Sequence, residues 1–409
     1  MQHIAIFDIG KTNKKLFVFD EEYHIVYEKS EHLTETKDED GDCCEDVILL
    51  SKWVRESLEN VLQLPDFQVK TVNFSGYGAS FIYLDANGKI LTPLYNYLKP
   101  YPENRKRQFY EKYGGEERLA RETASPVLGS LNSGLQLFRL KYEQPLVFEK
   151  VKYALHLPQF LSWLVSGEYS SEITSIGCHT NLWNFAKKTY HDWVFREGVI
   201  EKLPPISTSA VTHHNSLIIG FGLHDSSAAL IPYLVNFKEP FLLLSTGTWN
   251  IALNPFNHEP LTSVELAQDC LCYLSYQGKP VKASRLFAGH EHEKAIRDLG
   301  LEGETIRNFE DTEKLGMTGK KYLDFIKQLI EKQAVAIKLV LTNEVRKIFV
   351  DGGFSKNTIF MTLLSEAFPE REVYAAEVAQ ASALGAAIAV HGHWSERQLP
   401  SNLVGVRKI

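Results

Sequence analysis

The chain contains the same strand–turn–strand pattern twice, in residues 4–20 and again from residue 241 onward. The first copy reads IAIFDIGKTNKKLFVFD and the second reads FLLLSTGTWN, so in each an apolar strand enters a Gly and Thr turn and a second strand leaves it. Such a turn presents backbone N–H groups and hydroxyls at the tip of a rigid strand pair, an arrangement that cradles phosphate oxygens. The sequence therefore predicts one phosphate-binding hairpin in each half of the chain.

A third glycine turn, VDGGFSKN at 350–357, follows another apolar strand at Lys347–Val350. Its paired glycines would let a flat ring approach the backbone closely, because glycine has no side chain to keep it away. Three such turns on strand ends indicate a nucleotide held in a cleft.

Composition and charge narrow the class of protein. The 409 residues are typical of two or three domains, and 44 % hydrophobic residues suffice for a substantial core. A net charge of −7 argues against a nucleic-acid partner, which would be expected to meet a basic face. No run reaches the roughly 18 apolar residues of a membrane helix, so a membrane partner is not expected either.

The cysteines and the N-terminus predict a cytoplasmic protein. The five cysteines are odd in number and include the adjacent pair Cys43 and Cys44, which suits reduced thiols better than a disulfide framework. Asp8 lies inside the first apolar run, so that run is predicted to be a core strand and not a signal peptide.

Strand and helix patterns alternate along the whole chain, which predicts an α/β protein. Helix patterns include 47–62, 129–142, 158–165, 319–342 and 380–391, and a hairpin with an Asn-Gly turn is expected at 81–93. We expect an N-terminal lobe at 1–238 and a C-terminal lobe at 239–409, joined by a shared hinge because no low-complexity linker separates them.

These motifs together resemble the FGGY carbohydrate kinases, within the larger group that shares a nucleotide-binding core with actin, hexokinase and the heat-shock chaperones. The resemblance runs in order from residue 4 to about residue 390. It rests on the following residues and segments: Asp8, Gly10, Thr12, Asn13, Lys14 and Lys15; Ser245, Thr246, Gly247 and Thr248; Gly352, Gly353, Ser355 and Asn357; Glu377, Ala383, Gly385 and Ala386; and GFGLHDSSAAL at 220–230. It implies two ribonuclease H-like lobes with nucleotide and sugar in a cleft between them, the actin-like ATPase fold.

The resemblance also implies roles for individual residues. Asp8 would hold a magnesium ion, and Asp225 would be the catalytic base that accepts the proton of a sugar hydroxyl. Tyr77, Gly78 and His224 would contact the sugar together with Asp225. The implied contacts to ATP are Gly10, Lys11, Thr12, Asn13 and Lys14 from the first turn, Thr246, Gly247 and Thr248 from the second, and Gly352, Gly353, Ser355 and Asn357 from the third. Lys11 departs from the family, many members of which have a small residue there.

Simpler structural roles compete with two of these assignments. Asp8 could cap a turn, and Asp225 could be a helix N-cap, since the helix-forming run SSAAL follows it. The acidic loop at 38–46 resembles a calcium loop only superficially, because it lacks the 12-residue ligand spacing. His290–Glu293 invite a metal interpretation, but alternate residues diverge on a helix, and Cys270 and Cys272 are expected to be buried thiols on a strand.

The sequence thus predicts an ATP-dependent kinase that phosphorylates a ketose or polyol. The stretch Tyr95–Lys99 resembles the deoxyketose kinases for rhamnulose and fuculose more than the kinases for xylulose or glycerol. Alternatives are a non-catalytic sugar or nucleotide sensor on the same fold and another ATPase of the actin-like group. Only about a hundred residues, 254–347, separate the second phosphate turn from the adenosine turn, so the C-terminal lobe is expected to be trimmed. A homodimer is left open.

Overall fold

The computed structural model describes residues 2–304, 306–378 and 380–409. Among these, residues 2–232, 273–278 and 380–401 form a first compact unit, and residues 233–272, 279–378 and 402–409 form a second. The sequence prediction placed a single boundary between residues 238 and 239. In the structure, residues 380–401 belong to the first unit instead. The helix at Ala381–Ala389 packs on the central strands of that unit, Gln2–Ile9 and Gln68–Gly76.

The strands of the described residues follow in chain order. They are β1 (Gln2–Ile9), β2 (Lys14–Phe19), β3 (Ile25–Glu31), β4 (Thr36–Lys37), β5 (Cys43–Cys44), β6 (Gln68–Gly76), β7 (Phe81–Leu84), β8 (Tyr153–His156), β9 (Trp183–Asn184), β10 (Thr189–Tyr190), β11 (Val211–His214), β12 (Leu217–Gly220), β13 (Leu223–His224), β14 (Phe241–Thr246), β15 (Asn250–Asn254), β16 (Cys270–Leu274), β17 (Pro280–Leu286), β18 (Lys347–Gly352), β19 (Glu372–Glu377) and β20 (Gly405–Lys408).

The helices of the described residues are α1 (Val47–Leu62), α2 (Glu103–Lys112), α3 (Glu116–Thr123), α4 (Ser133–Glu143), α5 (Pro145–Lys150), α6 (Leu157–Ser166), α7 (Ile173–Ile176), α8 (Asp192–Arg196), α9 (Asp225–Asn236), α10 (Ser263–Ala267), α11 (Ala288–Asp298), α12 (Phe309–Lys314), α13 (Gly316–Val340), α14 (Thr358–Ala367), α15 (Ala381–Ala389) and α16 (His391–Trp394). Short 3₁₀ helices lie at Gly129–Leu131, Val199–Lys202 and Gly353–Lys356.

Each unit is built on one large mixed sheet, and the two sheets share a strand order. In the first, β3, β2 and β1 are antiparallel neighbours, and β6 and then β12 continue parallel to β1. In the second, β17, β15 and β14 are antiparallel neighbours, and β18 and then β19 continue parallel to β14. The repeated pattern of the sequence is therefore the central hairpin of each sheet, and the predicted α/β class is confirmed.

Strand β1 separates two chemical environments in the first unit. Phe7 and Ile9 point to the face covered by α1 and α6, where they join a fully buried apolar cluster. Side chains alternate along a strand, so Asp8 points to the opposite face, which α15 covers. Asp8 thus ends a strand face that begins with the buried Ile4 and Ile6.

Most predicted helices occur with small shifts in their ends. The helix predicted at 47–62 begins and ends as predicted, since the Asp46 carboxylate accepts the Leu49 N–H at 2.9 Å and caps it. The helix predicted at 129–142 is instead a 3₁₀ turn followed by α4. The predicted Asn-Gly hairpin is short, with Leu84 bridged to Ile90, and the longer partner of β7 is β8. Among the described residues, no helix is long and apolar enough to cross a membrane.

Candidate active site

Three parallel strands of the first unit end at the same edge of its sheet. Strand β6 pairs with both β1 and β13, so that Asp8 lies opposite Ser75 and His224 lies opposite Gly76. The carboxyl ends of parallel strands are where α/β sheets bind ligands. This register brings Asp8, the loop after Gly76 and the segment His224–Asp225 to one edge, as the sequence predicted for a common site.

Asp8 is held by a residue far away in the sequence. Its Oδ2 accepts a hydrogen bond from the Ser382 hydroxyl of α15 at 2.8 Å. Burial raises the pKa of Asp8 to about 6, and the nearby charge of Asp225 adds to the rise, whereas hydrogen bonds from Ser382 and Ser75 and the charge of Lys15 oppose it. Asp8 and Asp225 are therefore close enough to feel each other's charge.

Asp225 is the first residue of α9. Its Oδ1 accepts the adjacent Ser226 N–H at 2.6 Å, and its side chain is 35 % exposed. Partial enclosure by protein raises the pKa of this carboxyl to about 6 as well, although the Ser226 hydrogen bonds lower it. Asp225 is thus the first helical residue and not the N-cap of α9, and its carboxylate stays partly accessible.

His224 presents a neutral imidazole to Asp225. The Ser227 hydroxyl donates to the Leu274 carbonyl at 3.1 Å, and its oxygen lies 3.4 Å from His224 Nδ1. His224 Nε2 lies 3.3 Å from Asp225 Oδ1, and because an ionised carboxylate can only accept, this spacing favours a proton on Nε2. Burial lowers the pKa of His224 to about 3, so the ring stays neutral.

The loop after β6 packs closely on this histidine. A Cβ at Gly78 would lie 2.8 Å from His224 Cδ2 and 3.0 Å from Cys178 Sγ, so only glycine fits here without displacing its neighbours. Tyr77 is buried, and its hydroxyl donates to Glu45 Oε2 at 3.4 Å. Gly78 therefore borders the candidate sugar site directly, whereas the Tyr77 hydroxyl is committed to Glu45.

Tyr97 is a candidate sugar contact that the sequence did not single out. Its ring meets that of Tyr77 edge to face, with 5.8 Å between centroids. Burial raises the pKa of Tyr97, and the charge of Asp225 adds to the rise, so its hydroxyl lies near that carboxylate. The only sequence signal was the unusual Tyr-rich stretch at 95–99.

The first phosphate turn is a tight loop stabilised from below. The Gly10 N–H donates to the Asn13 carbonyl at 3.0 Å, and Thr12 and Asn13 are exposed at the tip. The Lys14 ammonium is buried and donates to the Gly10 and Lys11 carbonyls at 3.1 and 3.0 Å and to Glu45 at 2.8 Å. All three N–H donors of the Lys14 ammonium are bound to protein oxygens, so Lys14 stabilises the loop. This role replaces the predicted contact with ATP.

Two other lysines of this turn have different surroundings. Lys11 is partly exposed and pairs with Glu35 at 2.6 Å. Lys15 is the cross-strand partner of Asp8 and donates to the Gln380 side chain at 3.2 Å. Of the three, Lys15 is the cation whose charge acts on Asp8.

The second unit brings the other two glycine turns together. Strands β14 and β18 are parallel, so Thr246 lies opposite Gly352. The Thr246 hydroxyl donates to the Asp351 carbonyl at 2.5 Å and accepts the Phe354 N–H at 3.0 Å. Gly352 has φ +91°, and a Cβ there would lie 2.0 Å from the Thr246 carbonyl oxygen. The second and third turns are thereby locked into one structure.

A pocket of about 440 Å³ opens beside these turns, within the size range of small-ligand sites. Its lining includes four residues predicted to bind ATP, namely Thr246, Gly247, Gly353 and Asn357. Thr248, Gly352 and Ser355 are not among its described lining residues, and Gly352 instead supports the turn.

The wall of this pocket explains two further sequence features. Asn357 caps α14 through Phe360 N–H at 3.0 Å and donates to the Tyr322 hydroxyl at 3.1 Å. The ring of His292 lies 3.0 Å from the same hydroxyl, and His292 and Glu293 both line the pocket. Among the described residues, no group of three metal-ligand side chains includes residues 290–293, so the run contributes to a pocket wall.

The acidic loop contains its own cation. The buried Lys99 ammonium lies 2.5 Å from Asp38, 2.7 Å from Asp40 and 3.4 Å from Asp42. Although burial opposes it, hydrogen bonds to Asp38 and Asp40 raise the pKa of Lys99. A lysine from the next loop thus occupies the centre that a calcium ion would need, and the sequence had no local signal for this pairing.

Comparison with known proteins gives a consistent result. The family model for the N-terminal domain of the FGGY family of carbohydrate kinases matches residues 3–221, and that for the carbohydrate kinase FGGY C-terminal domain matches residues 238–315. A rhamnulokinase of Halalkalibacterium halodurans is 25 % identical over 266 residues, which cover 61 % of this chain and 56 % of that protein. The chain spans about half the length of the curated relatives it matches.

Solved structures share the fold at low sequence identity. A carbohydrate kinase from Novosphingobium aromaticivorans has a TM-score of 0.83 at 22 % identity, covering 99 % of this chain and 93 % of that one. A xylulose kinase from Lactobacillus acidophilus also has a TM-score of 0.83, at 16 % identity, covering 100 % of this chain and 93 % of that one. With a family model matched over more than half of its residues, this chain belongs to the FGGY family of carbohydrate kinases.

Proposed function

We propose that the protein transfers the γ-phosphoryl group of ATP to a hydroxyl of a ketose or polyol, with Asp225 as the general base. One observation carries the proposal: Asp8 and Asp225 lie at strand ends on either side of β6, and burial raises the pKa of each to about 6. A general base is most effective when its pKa lies near the working pH. A carboxylate on the surface with no catalytic role does not need a raised pKa.

The groups around Asp225 suit a polyhydroxylated substrate. His224 Nε2 lies 3.3 Å from Asp225 Oδ1 and would orient that carboxylate, whose other oxygen can accept a hydrogen bond from a sugar hydroxyl. Asp225 would accept the proton of the hydroxyl that is phosphorylated, and His224 would lie beside a neighbouring hydroxyl. Gly78 keeps this edge open, since a larger residue would collide with His224.

ATP is assigned to the glycine turns. The pocket beside Thr246 and Gly353 would take the adenosine, and the exposed turns at 10–13 and 247–248 would offer backbone N–H groups and hydroxyls to phosphate oxygens. Phosphoryl transfer depends chiefly on positioning and charge stabilisation, which these turns can supply.

The residues also fit a magnesium ion. Asp8 supplies a hard oxygen donor, and the mutual repulsion of Asp8 and Asp225 would be relieved by a divalent cation. Asp8 would hold the ion, and a bound ion would neutralise charge on the phosphate oxygens.

ADP release across a panel of ketoses, aldoses and polyols tests the proposal. The panel begins with rhamnulose, because the relatives of known name are rhamnulokinases. With the best substrate, Asp225→Asn should lower kcat by about 10² to 10⁴ and change KM little, because the amide keeps the shape and loses the basicity. A change confined to KM would remove Asp225 from the catalytic role.

A further inference from the structure

Three buried side chains with metal-binding atoms meet beside the candidate sugar site. They are Cys178 and His179, which follow α7, and His224, at the end of β13. One ligand atom of each lies within 4.8 Å of the other two. Proteins bind Zn²⁺ with this combination of thiolate and imidazole groups.

The surroundings of both imidazoles offer an acceptor to Nδ1–H. His179 Nδ1 lies 3.0 Å from the Leu131 carbonyl oxygen, which can only accept, so Nδ1 carries the proton. His224 Nδ1 lies 3.4 Å from the Ser227 oxygen, which could accept from it once Nε2 binds a metal. Metal-ligating histidines commonly donate their second N–H to a carbonyl or similar acceptor in this way, which fixes the ring before the metal arrives.

The thiol of the cluster is its third ligand. The Cys178 thiol donates to the Ser175 carbonyl at 3.2 Å and would release its proton on binding a metal. Zn–N bonds of about 2.0–2.1 Å and Zn–S bonds of about 2.3 Å place tetrahedral ligands roughly 3.4–3.6 Å apart. The ligand atoms of this cluster all lie within 4.8 Å of one another, so the three side chains would draw closer together around an ion.

We propose that Cys178, His179 and His224 bind a soft divalent cation, Zn²⁺ or its analogue Cd²⁺. Mg²⁺ does not compete for this site, because it prefers oxygen ligands and is bound poorly by thiolate. Binding of Zn²⁺ would occupy His224, whose Nε2 lies 3.3 Å from Asp225 Oδ1, so it would block the sugar and not ATP. The binding itself is independent of the proposed function, whereas this inhibition rests on it.

Cadmium titration tests the binding directly. In protein freed of metal with a chelator and carrying Cys43→Ser, which removes the exposed thiol, Cd²⁺ should produce one equivalent of the ultraviolet thiolate-to-cadmium absorption band. Cys178→Ser should abolish the band, and His179→Gln should weaken binding by about 10- to 100-fold. Cys272→Ser is the matched control, since Cys272 is also buried but belongs to no such cluster among the described residues.

The site is overturned if the band is absent, or if it persists unchanged in Cys178→Ser while circular dichroism shows that variant folded. Should Cys178→Ser fail to fold, the His179→Gln titration decides in its place. In kinase assays with excess Mg²⁺, Zn²⁺ should raise KM for the sugar and leave KM for ATP unchanged. Lack of kinase activity on every sugar would refute the proposed function, and the cadmium titration would still judge the metal site.

Discussion

Replacing Asp8 by Asn should make the protein more stable at neutral pH while removing the proposed magnesium ligand. Asn keeps the size of the side chain and can still accept the hydrogen bond from Ser382, but it carries no charge. The folded protein holds Asp8 in partly buried surroundings beside a second carboxylate, Asp225. Ionised Asp8 therefore costs folding free energy, which the neutral amide does not.

The magnitude follows from the pKa. Asp8 has a pKa of about 6 in the folded protein against 3.8 ordinarily, a rise of about 2.2 units at about 1.36 kcal/mol per unit. Because the folded value is the higher one, the penalty is absent below pH 4, grows between pH 4 and pH 6, and is complete above pH 6. At pH 7.5 the largest possible increase in the free energy of unfolding is about 3 kcal/mol. Because solvent screens the charge of a half-buried group, we expect Asp8→Asn to increase it by about 1–3 kcal/mol.

Urea unfolding in a chelating buffer measures this gain. Five of the six tryptophans belong to the first unit, and Trp53 contacts Phe7 next to Asp8, so tryptophan emission reports on the relevant unit. The gain should fall to roughly half its value between pH 7.5 and pH 5. Asp66→Asn, which neutralises an exposed carboxylate, should change the free energy of unfolding by less than about 0.5 kcal/mol. An Asp8→Asn protein that gains no more than this control, or gains equally at both pH values, would refute the reasoning.

Three further predictions concern the pH dependence, the acidic loop and the nucleotide turn. Because Asp225 must be ionised to act as a base, kcat/KM should rise tenfold per pH unit below about pH 6 and level off above it; a flat profile down to pH 5 would contradict this. Lys99→Met should lower the free energy of unfolding by about 3–5 kcal/mol, because it leaves the buried Asp38 carboxylate without its cation, whereas Lys52→Met at an exposed pair should be nearly neutral by the same urea assay. Gly352→Ala should weaken ATP binding in calorimetry by tenfold or more, whereas Gly392→Ala, at an exposed position where a Cβ meets nothing within 4 Å, should not; equal effects would dismiss the clash with Thr246 as the cause.

Local patterns in the chain were sufficient to predict the central hairpins and the strand ends that bear Asp8 and Asp225. Apolar periodicity, Gly and Thr turns and the Asp46 cap act over a few residues, so the sequence contains them directly. The same patterns placed the helix at 380–391 but not its unit, because a helix of small apolar residues can cover either sheet.

Other features depend on partners that the sequence does not bring together. Ser382 and Asp8 are 374 positions apart, and Lys14 and Glu45 are 31 apart, so neither pair has a local signal. From the sequence, Lys14 in a phosphate turn suggests a phosphate ligand, but in the structure its ammonium pairs with the buried Glu45 carboxylate. A buried charge needs such a partner, because burying an unpaired charge costs much free energy.

The sequence by itself determined which residues sit at strand ends, and hence that two carboxylates and three glycine turns would be available for phosphoryl transfer. Only the tertiary structure decided which of their neighbours remain available to a ligand. In the folded protein, Lys14 and Tyr77 both donate hydrogen bonds to Glu45, and Lys99 pairs with the acidic loop. The fold also brings the side chains of Cys178, His179 and His224 together. The physical reason is that burial and hydrogen-bond satisfaction are set by contacts between distant segments, which local propensity and spacing do not encode.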